Sequence, residues 1–163
     1  MDLPPLILVL DRLRSAHNTG NIFRIAEALG AGIFACGYTP HPPHPKLEKT
    51  AMGTDKTVFC RHFDSSLEAV RFLHTQNYTV LAAEPGGVEA WEKEYSFPMA
   101  LVLGNEALGV AEETLKEADG IVSLPMTGSK ASIFVRKTLQ VLPCEIKKAL
   151  AFFKLTERTC VFR

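Results

Sequence analysis

The sequence predicts a single α/β domain with a mostly parallel, six-stranded sheet and helices on both faces. Short apolar runs alternate with amphipathic helical patterns along the whole chain, which is typical of this class. The chain has 163 residues, of which 47% are hydrophobic, enough to form one sizeable core. No repeat, low-complexity tract or linker divides it, so we expect residues 1–163 to form one domain.

The first third of the chain predicts two strands and the helix between them. Residues 6–10 form an apolar run that reads as the first strand, and residues 33–36 read as the second. Between them, apolar side chains recur at helical spacing from Ile22 to Leu29, and Gly30 follows. We therefore predict a helix over residues 18–29 that ends at this glycine.

The next segment predicts a loop, two helices and a strand. The proline-rich residues 39–45 must form a loop, and a short helix over residues 47–52 is closed by Gly53. Residues 57–60 are predicted as the third strand. Ser65 and Glu68 have the spacing of a capping box, so a helix follows to about residue 74.

The rest of the chain repeats the alternation. The predicted strands are residues 78–83, 99–103 and 121–124, with a helix over residues 112–118. A last helix carries an apolar stripe, interpreted as core or dimer contact, formed by Leu139, Leu142, Ile146, Ala149 and Phe153.

The fourth, fifth and sixth predicted strands each end in a turn that is rich in small residues and proline. These turns begin at Glu84, Gly104 and Pro125. The carboxyl ends of parallel strands meet at one sheet edge, where ligands bind, and glycine lets a ligand approach the backbone. One such loop is most simply a tight turn, but three together predict a pocket. None of the three has a phosphate-binding glycine motif.

The charge pattern gives no long-range attraction to a polyanion or a membrane. Eighteen basic residues balance eighteen acidic ones, so an RNA partner would need local basic patches. Ordinary solvated surface charge explains such patches equally well. The candidates are His41, His44, Lys46, Lys49, Lys56, Arg61 and His62, and near the end Lys130, Arg136, Lys137, Lys147 and Lys148.

We expect a cytoplasmic protein without a metal site. The first residues show no signal peptide, and no apolar stretch is long enough to span a membrane. The four cysteines are scattered without a C-x-x-C pair, which is typical of reduced thiols. His41 and His44 flank two prolines, but no third ligand is in view.

Three segments resemble a known family in order and spacing. Residues 18–24 (Asn-Thr-Gly-Asn-Ile-Phe-Arg) resemble the first motif of the SpoU or TrmH-like branch of the SPOUT methyltransferases. Residues 101–109 resemble the second motif, and residues 124–129 with Ser132 and Ile133 resemble the third. The resemblance implies S-adenosylmethionine as cofactor, methylation of an RNA ribose 2′-hydroxyl, a C-terminal trefoil knot, and a homodimer whose active site uses both chains.

The resemblance also implies where the methyl donor binds. Backbone groups of the strand-end loops and an apolar side chain would hold it, with the loop near Glu84 closing the pocket. A neutral, largely apolar slot suits adenosine recognition without phosphate. The implied cofactor-binding residues are Ala83, Gly104, Leu124, Met126, Ser132 and Ile133.

The catalytic residues that the resemblance implies are Asn18, Arg24 and Glu106. The family proposal is that the arginine helps to deprotonate the ribose hydroxyl, but bringing an arginine pKa near neutrality would cost about 8 kcal/mol. We interpret Arg24 as a clamp on the substrate phosphate, with a plain surface residue as the alternative. Glu106 either orients Arg24 or an RNA group across the dimer, or anchors the backbone of its own loop.

The third motif departs from the family pattern. Phe134 stands where the family has asparagine, Arg136 and Lys137 replace small residues, and Pro143 interrupts the final helix. A second hypothesis is therefore a knotted module that binds donor and RNA with little or no turnover. A third is an enzyme acting on a nucleotide-like metabolite, favoured by the zero net charge. For the RNA enzyme, we expect a loop of tRNA or rRNA as substrate.

Overall fold

The computed structural model describes residues 3–90 and 92–123, and these form a six-stranded sheet. All neighbouring strands run parallel, in the spatial order β3-β2-β1-β5-β4-β6. The predicted fold class is confirmed. The strands are β1 (Leu6–Asp11), β2 (Gly32–Cys36), β3 (Cys60–Phe63), β4 (Thr79–Glu89), β5 (Met99–Leu103) and β6 (Gly120–Ser123).

Helices cover both faces of this sheet, so each face has its own apolar core. On one face, Ile22 and Phe23 of the first helix and Leu47 of the second pack against the sheet. On the other face, Val70 and Leu73 of the third helix pack against it. The helices are α1 (Ala16–Leu29), α2 (Pro45–Ala51), α3 (Ser66–Thr75) and α4 (Glu112–Glu117), with a 3₁₀ turn at Thr54–Lys56.

The ends of α1 and α3 follow from local chemistry. Ser15 caps α1 by accepting a hydrogen bond from the Asn18 amide, and Gly30 ends the helix with a φ of 65°. Ser65 caps α3 in the predicted way, accepting from the Glu68 amide. Helix α1 begins two residues before its predicted start, because its cap lies at Ser15 rather than next to the first apolar residue.

The prediction for the third strand was wrong by three residues. The predicted residues 57–60 begin inside a turn, since Thr57 and Val58 donate their amides to the Thr54 carbonyl. Sheet pairing starts only at Phe59, whose carbonyl accepts from the Ile33 amide at 2.8 Å, and β3 follows. The β-branched residues of this segment favour a strand locally, but the turn continues through them.

The fourth strand is also longer than predicted. Residues 84–87, predicted as a loop, lie within β4, whose pairing with β6 shifts register between Ala83 and Val88. A Cβ at Gly87 would overlap the backbone of Ile121, so the two strands approach closely there. Ser123 Oγ donates to the Gly87 carbonyl at 3.0 Å, which ties β6 to the irregular segment.

Several predictions concern residues outside the described part of the chain. These are the loop after β6, the final helix and the trefoil knot, together with Phe134, Arg136, Lys137 and Pro143. Within the described part, no helix has the length and apolar character needed to cross a membrane.

Candidate functional site

The sheet aligns the carboxyl end of β5 with residues of β1, β4 and β6. Leu103 at the end of β5 pairs with Leu10 of β1 on one side and with Ala83 of β4 on the other. Ala83 in turn pairs with Val122 of β6. The segment after β1 and the loop after β5 therefore start side by side, next to Ala83 of β4. The predicted meeting of three strand-end turns stays a prediction, because residues 84–87 lie within β4 and the turn after β6 lies outside the described residues.

The loop after β5 is closed by Asn105, whose side chain is 3% exposed. Its Oδ1 accepts hydrogen bonds from the amides of Ala107 at 2.8 Å and Leu108 at 3.1 Å. Its backbone pairs with Gly109 in both directions, at 3.0 and 2.9 Å. A Cβ on Gly104 would overlap the backbone of Gly109 and Val110, so only glycine fits at that position.

Two carboxylates hold the segment that leaves this loop. Glu84 Oε1 accepts a hydrogen bond from the Val110 amide. Asp11, 1% exposed at the end of β1, accepts from the Ala111 amide at 2.8 Å through Oδ2. Partly buried polar contacts to β1 and β4 therefore hold the segment after the β5 loop.

Glu106 joins the first motif to the second. Its Oε1 accepts from Asn18 Nδ2 at 3.0 Å, and its Oε2 accepts from the Arg14 amide at 3.4 Å. Both of these contacts leave the loop of Glu106 itself, whose own hydrogen bonds come from Asn105. Within one chain Glu106 contacts the start of α1.

The structure does not place Arg24 beside Asn18 and Glu106. Arg24 is exposed on α1, and it has no hydrogen bond or ion pair to any residue in the described ranges 3–90 and 92–123. Six residues of helix separate it from Asn18, which corresponds to about 9 Å along the axis and about 120° of rotation. Its role in catalysis stays a prediction.

The residues that sequence reasoning missed lie next to Asn105. Asn105 Nδ2 donates to the Arg12 carbonyl at 2.6 Å and to the Tyr38 hydroxyl at 3.1 Å. Arg12 Nε donates to Asp11 Oδ1 at 3.0 Å, and this hydrogen bond raises the pKa of the Arg12 guanidinium. Asn105 belongs to the second motif, residues 101–109, but the sequence pattern does not indicate which residues its side chain contacts.

Two of the predicted cofactor-binding residues, Ala83 and Gly104, lie in the described part of the chain. Ala83 is buried with a small side chain, and Gly104 is buried and has none. The nearby carboxylate of Glu84 is already engaged by the Val110 amide. Neither Ala83 nor Gly104 carries a charged side chain, whereas Glu84 brings a carboxylate to the same edge. Leu124, Met126, Ser132 and Ile133 lie outside the described residues.

The described titratable groups form no metal cluster. No group of three or more His, Cys, Asp or Glu residues within residues 3–90 and 92–123 is placed to hold an ion. The two described cysteines are free thiols. Burial raises the pKa of the Cys60 thiol to about 12 and also raises the pKa of Cys36.

Comparison with known proteins identifies the family. The profile of the SpoU rRNA Methylase family matches residues 5–143, so the chain belongs to this family, and the resemblance seen in the three motifs is confirmed. The tRNA (guanosine(18)-2′-O)-methyltransferase of Thermus thermophilus is 31% identical over 147 residues, covering 89% of this chain and 75% of that protein.

For two further relatives, the match with this chain covers a smaller share of the relative's length. A 23S rRNA (guanosine-2′-O-)-methyltransferase of Haemophilus influenzae is 33% identical over 150 residues, which is 87% of this chain and 59% of that protein. The solved structure of AdoMet-bound rRNA methyltransferase from Sinorhizobium meliloti has a TM-score of 0.78 and 28% identity, covering 91% of this chain and 58% of that one. The chain thus spans little more than half of these two relatives.

Proposed function

We propose that this protein is an S-adenosylmethionine-dependent methyltransferase that methylates a ribose 2′-hydroxyl of RNA. The observation that carries the proposal is the 3.0 Å contact between Asn18 and Glu106, which joins two family motifs 88 residues apart at the ligand-binding edge of the sheet. Family membership and the names of the relatives support the same reaction.

The proposed roles follow from the chemistry of each side chain. When bound, S-adenosylmethionine supplies the methyl group from its sulfonium. Arg24, an exposed guanidinium without a partner among the described residues, clamps a substrate phosphate. Asn18 and Glu106 hold the ribose in line, and such positioning supplies several kcal/mol of a transfer barrier. The donor contacts Ala83, Gly104, Leu124, Met126, Ser132 and Ile133.

The test is methyl transfer from labelled donor to RNA of cells that lack the gene. Arg24→Ala should abolish transfer while calorimetric donor binding and the unfolding temperature stay unchanged, because Arg24 is exposed. Arg71→Ala is the control, since Arg71 is also an exposed helical arginine and pairs with Glu117. Normal transfer by Arg24→Ala, or no transfer by the natural chain to any RNA, contradicts the proposal.

A second candidate function is a module that binds donor and RNA with little turnover. Phe134 favours it, because an aromatic ring replaces both hydrogen-bonding roles of the family asparagine. Phe134→Asn separates the two functions. A large gain in transfer indicates a weakened enzyme, whereas equal and substantial transfer by both chains removes the basis for the second candidate.

The remaining proposals concern substrate and assembly. We infer that the substrate is an unpaired loop of tRNA or rRNA, and that the chain acts in the cytoplasm as one knotted domain and as a homodimer. Mass mapping of methylated riboses, in cells with and without the gene, identifies the nucleotide. Sedimentation velocity at catalytic concentration measures the assembly, and a monomer with full activity contradicts the dimer.

A further inference from the structure

Three aromatic rings lie at or just beyond the carboxyl ends of β2 and β3, outside the predicted site. Tyr38 is 56% exposed, although its ring is large and apolar. His41 and His62 stack with ring centroids 4.3 Å apart and an angle of 28° between the planes. We call Tyr38, His41 and His62 the aromatic platform.

The platform is held rigidly. His41 Nδ1 donates to the Thr39 carbonyl at 3.0 Å, and His62 Nε2 donates to the Gly37 carbonyl at 2.9 Å. The Thr39 hydroxyl is buried, contacts the carbonyls of Leu10 and Cys36, and accepts from the Leu13 amide. Because the turn is fixed from both sides, little conformational entropy remains to be lost when a ligand binds the rings.

The platform is continuous with the candidate active site. The Tyr38 hydroxyl accepts from Asn105, and the next residue along the chain, Glu106, contacts Asn18. Arg12 lies beside the same amide, and its side chain is 35% exposed while it is bound to buried Asp11. Tyr38 and Arg12 are therefore linked to Asn18 through Asn105 and its neighbour Glu106.

We infer that the aromatic platform stacks an unpaired RNA base adjacent to the methylated nucleotide, with Arg12 facing the phosphate between them. This inference rests on the proposed function and specifies its substrate as single-stranded at the neighbouring position. Fixed rings bind any base through its π face, and a guanidinium neutralises phosphate. With a net charge of zero, local contacts of this kind must provide the affinity.

The experiment compares fluorescein-labelled oligouridine with a labelled oligoadenosine–oligouridine duplex, titrated with the full chain. The natural chain should prefer the single strand. Tyr38→Ala and His62→Ala should each weaken oligouridine binding about fivefold to tenfold, since stacking on one ring contributes at least that much. Tyr38→Phe keeps the ring and should bind as the natural chain does, which separates stacking from the hydrogen bond to Asn105.

His74→Ala is the matched control, because His74 is a histidine on α3 paired with Asp119. It should leave oligouridine binding unchanged. No preference for the single strand, equal losses in Tyr38→Phe and Tyr38→Ala, or unchanged binding in both alanine variants overturns the inference. Methyl transfer by the natural chain to tRNA transcripts is measured separately, so the proposed function can stand if the platform fails.

Discussion

At the scale of single residues, the amide of Asn105 holds the site together. It makes four hydrogen bonds, two within its own loop and two to Arg12 and Tyr38. It is also almost completely buried, so water cannot replace these partners. Its removal affects both the loop of the second motif and the segment that leaves β1.

Replacing this amide should therefore destabilise the fold as well as the site. Asn105→Ala should lower the free energy of unfolding by about 1–3 kcal/mol, because buried polar groups lose their partners. Urea denaturation at neutral pH measures the loss. Asn21→Ala, which removes an exposed contact to His17, should change it by less than about 0.5 kcal/mol. Equal stability of the two variants would show that the Asn105 network contributes nothing.

The close packing around Gly104 leads to a second prediction for a single residue. Gly104→Ala places a methyl group against the backbone of Gly109 and Val110, which cannot move aside cheaply, so we expect a loss of about 1–3 kcal/mol and weaker donor binding. Gly120→Ala is the control, because its new methyl would meet only the ends of two flexible side chains, Leu81 at 3.3 Å and Lys93 at 3.9 Å. Unfolding curves and donor calorimetry compare the two, and a harmless Gly104→Ala would contradict the close approach.

At the scale of elements, the sequence predicts what local pattern controls. β5 has its predicted bounds because residues 99–103 are uniformly apolar. The start of α3 was also predicted, because the four residues from Ser65 to Glu68 are enough to indicate its cap. β3 was misplaced because the 3₁₀ turn before it contacts α1, where the Thr57 hydroxyl donates to Glu27, and no local pattern shows this contact. Family resemblance indicated Asn18 and Glu106, but their mutual contact joins residues far apart in sequence, which no local pattern reveals.

At the scale of elements, the packing of α1 against α2 predicts how a change at Gly20 affects stability. Gly20 is buried, and a Cβ there would overlap the side chain and backbone of Thr50, whose hydroxyl donates to the Ala16 carbonyl. Gly20→Ala should lower stability by about 1–3 kcal/mol, even though alanine favours helix by about 1 kcal/mol.

The control for this packing is a change on the exposed side of the same helix. Ala28→Ser should shift the free energy of unfolding by no more than about 0.5 kcal/mol. Thermal unfolding of both variants measures the difference. A Gly20→Ala chain as stable as the natural one, or more so, would mean that helix propensity outweighs the contact with Thr50.

At the scale of the whole molecule, the parallel sheet determines where the motifs meet. The strand order places β1 beside β5, so the segment after β1, with α1, lies next to the loop after β5. The two apolar cores bury both faces of that sheet, and polar residues such as Asp11 and Asn105 lie at its carboxyl edge. Chemistry at this edge therefore depends on the stability of the entire sheet.

That stability should fall at alkaline pH. Burial raises the folded-state pKa of the Cys60 thiol from 9.0 to about 12, and raises that of Cys36 in the same direction. Above about pH 9 the unfolded thiols lose protons that the folded chain retains, so the unfolded state is favoured. The stabilisation is complete below pH 9 and is lost as the pH rises toward 12, with a slope of about 1.4 kcal/mol per pH unit for each thiol.

Cys60→Ala isolates the contribution of one thiol to this loss. Urea denaturation at pH 8, 9, 10 and 11 should show the natural chain losing stability faster than the variant, because alanine has no proton to lose. Taking the difference between the two chains removes the effect of titrating groups that do not interact with Cys60, such as Tyr78, whose pKa burial also raises. Parallel curves for the two chains across this range would show that the Cys60 thiol titrates as freely in the folded protein as in the unfolded one.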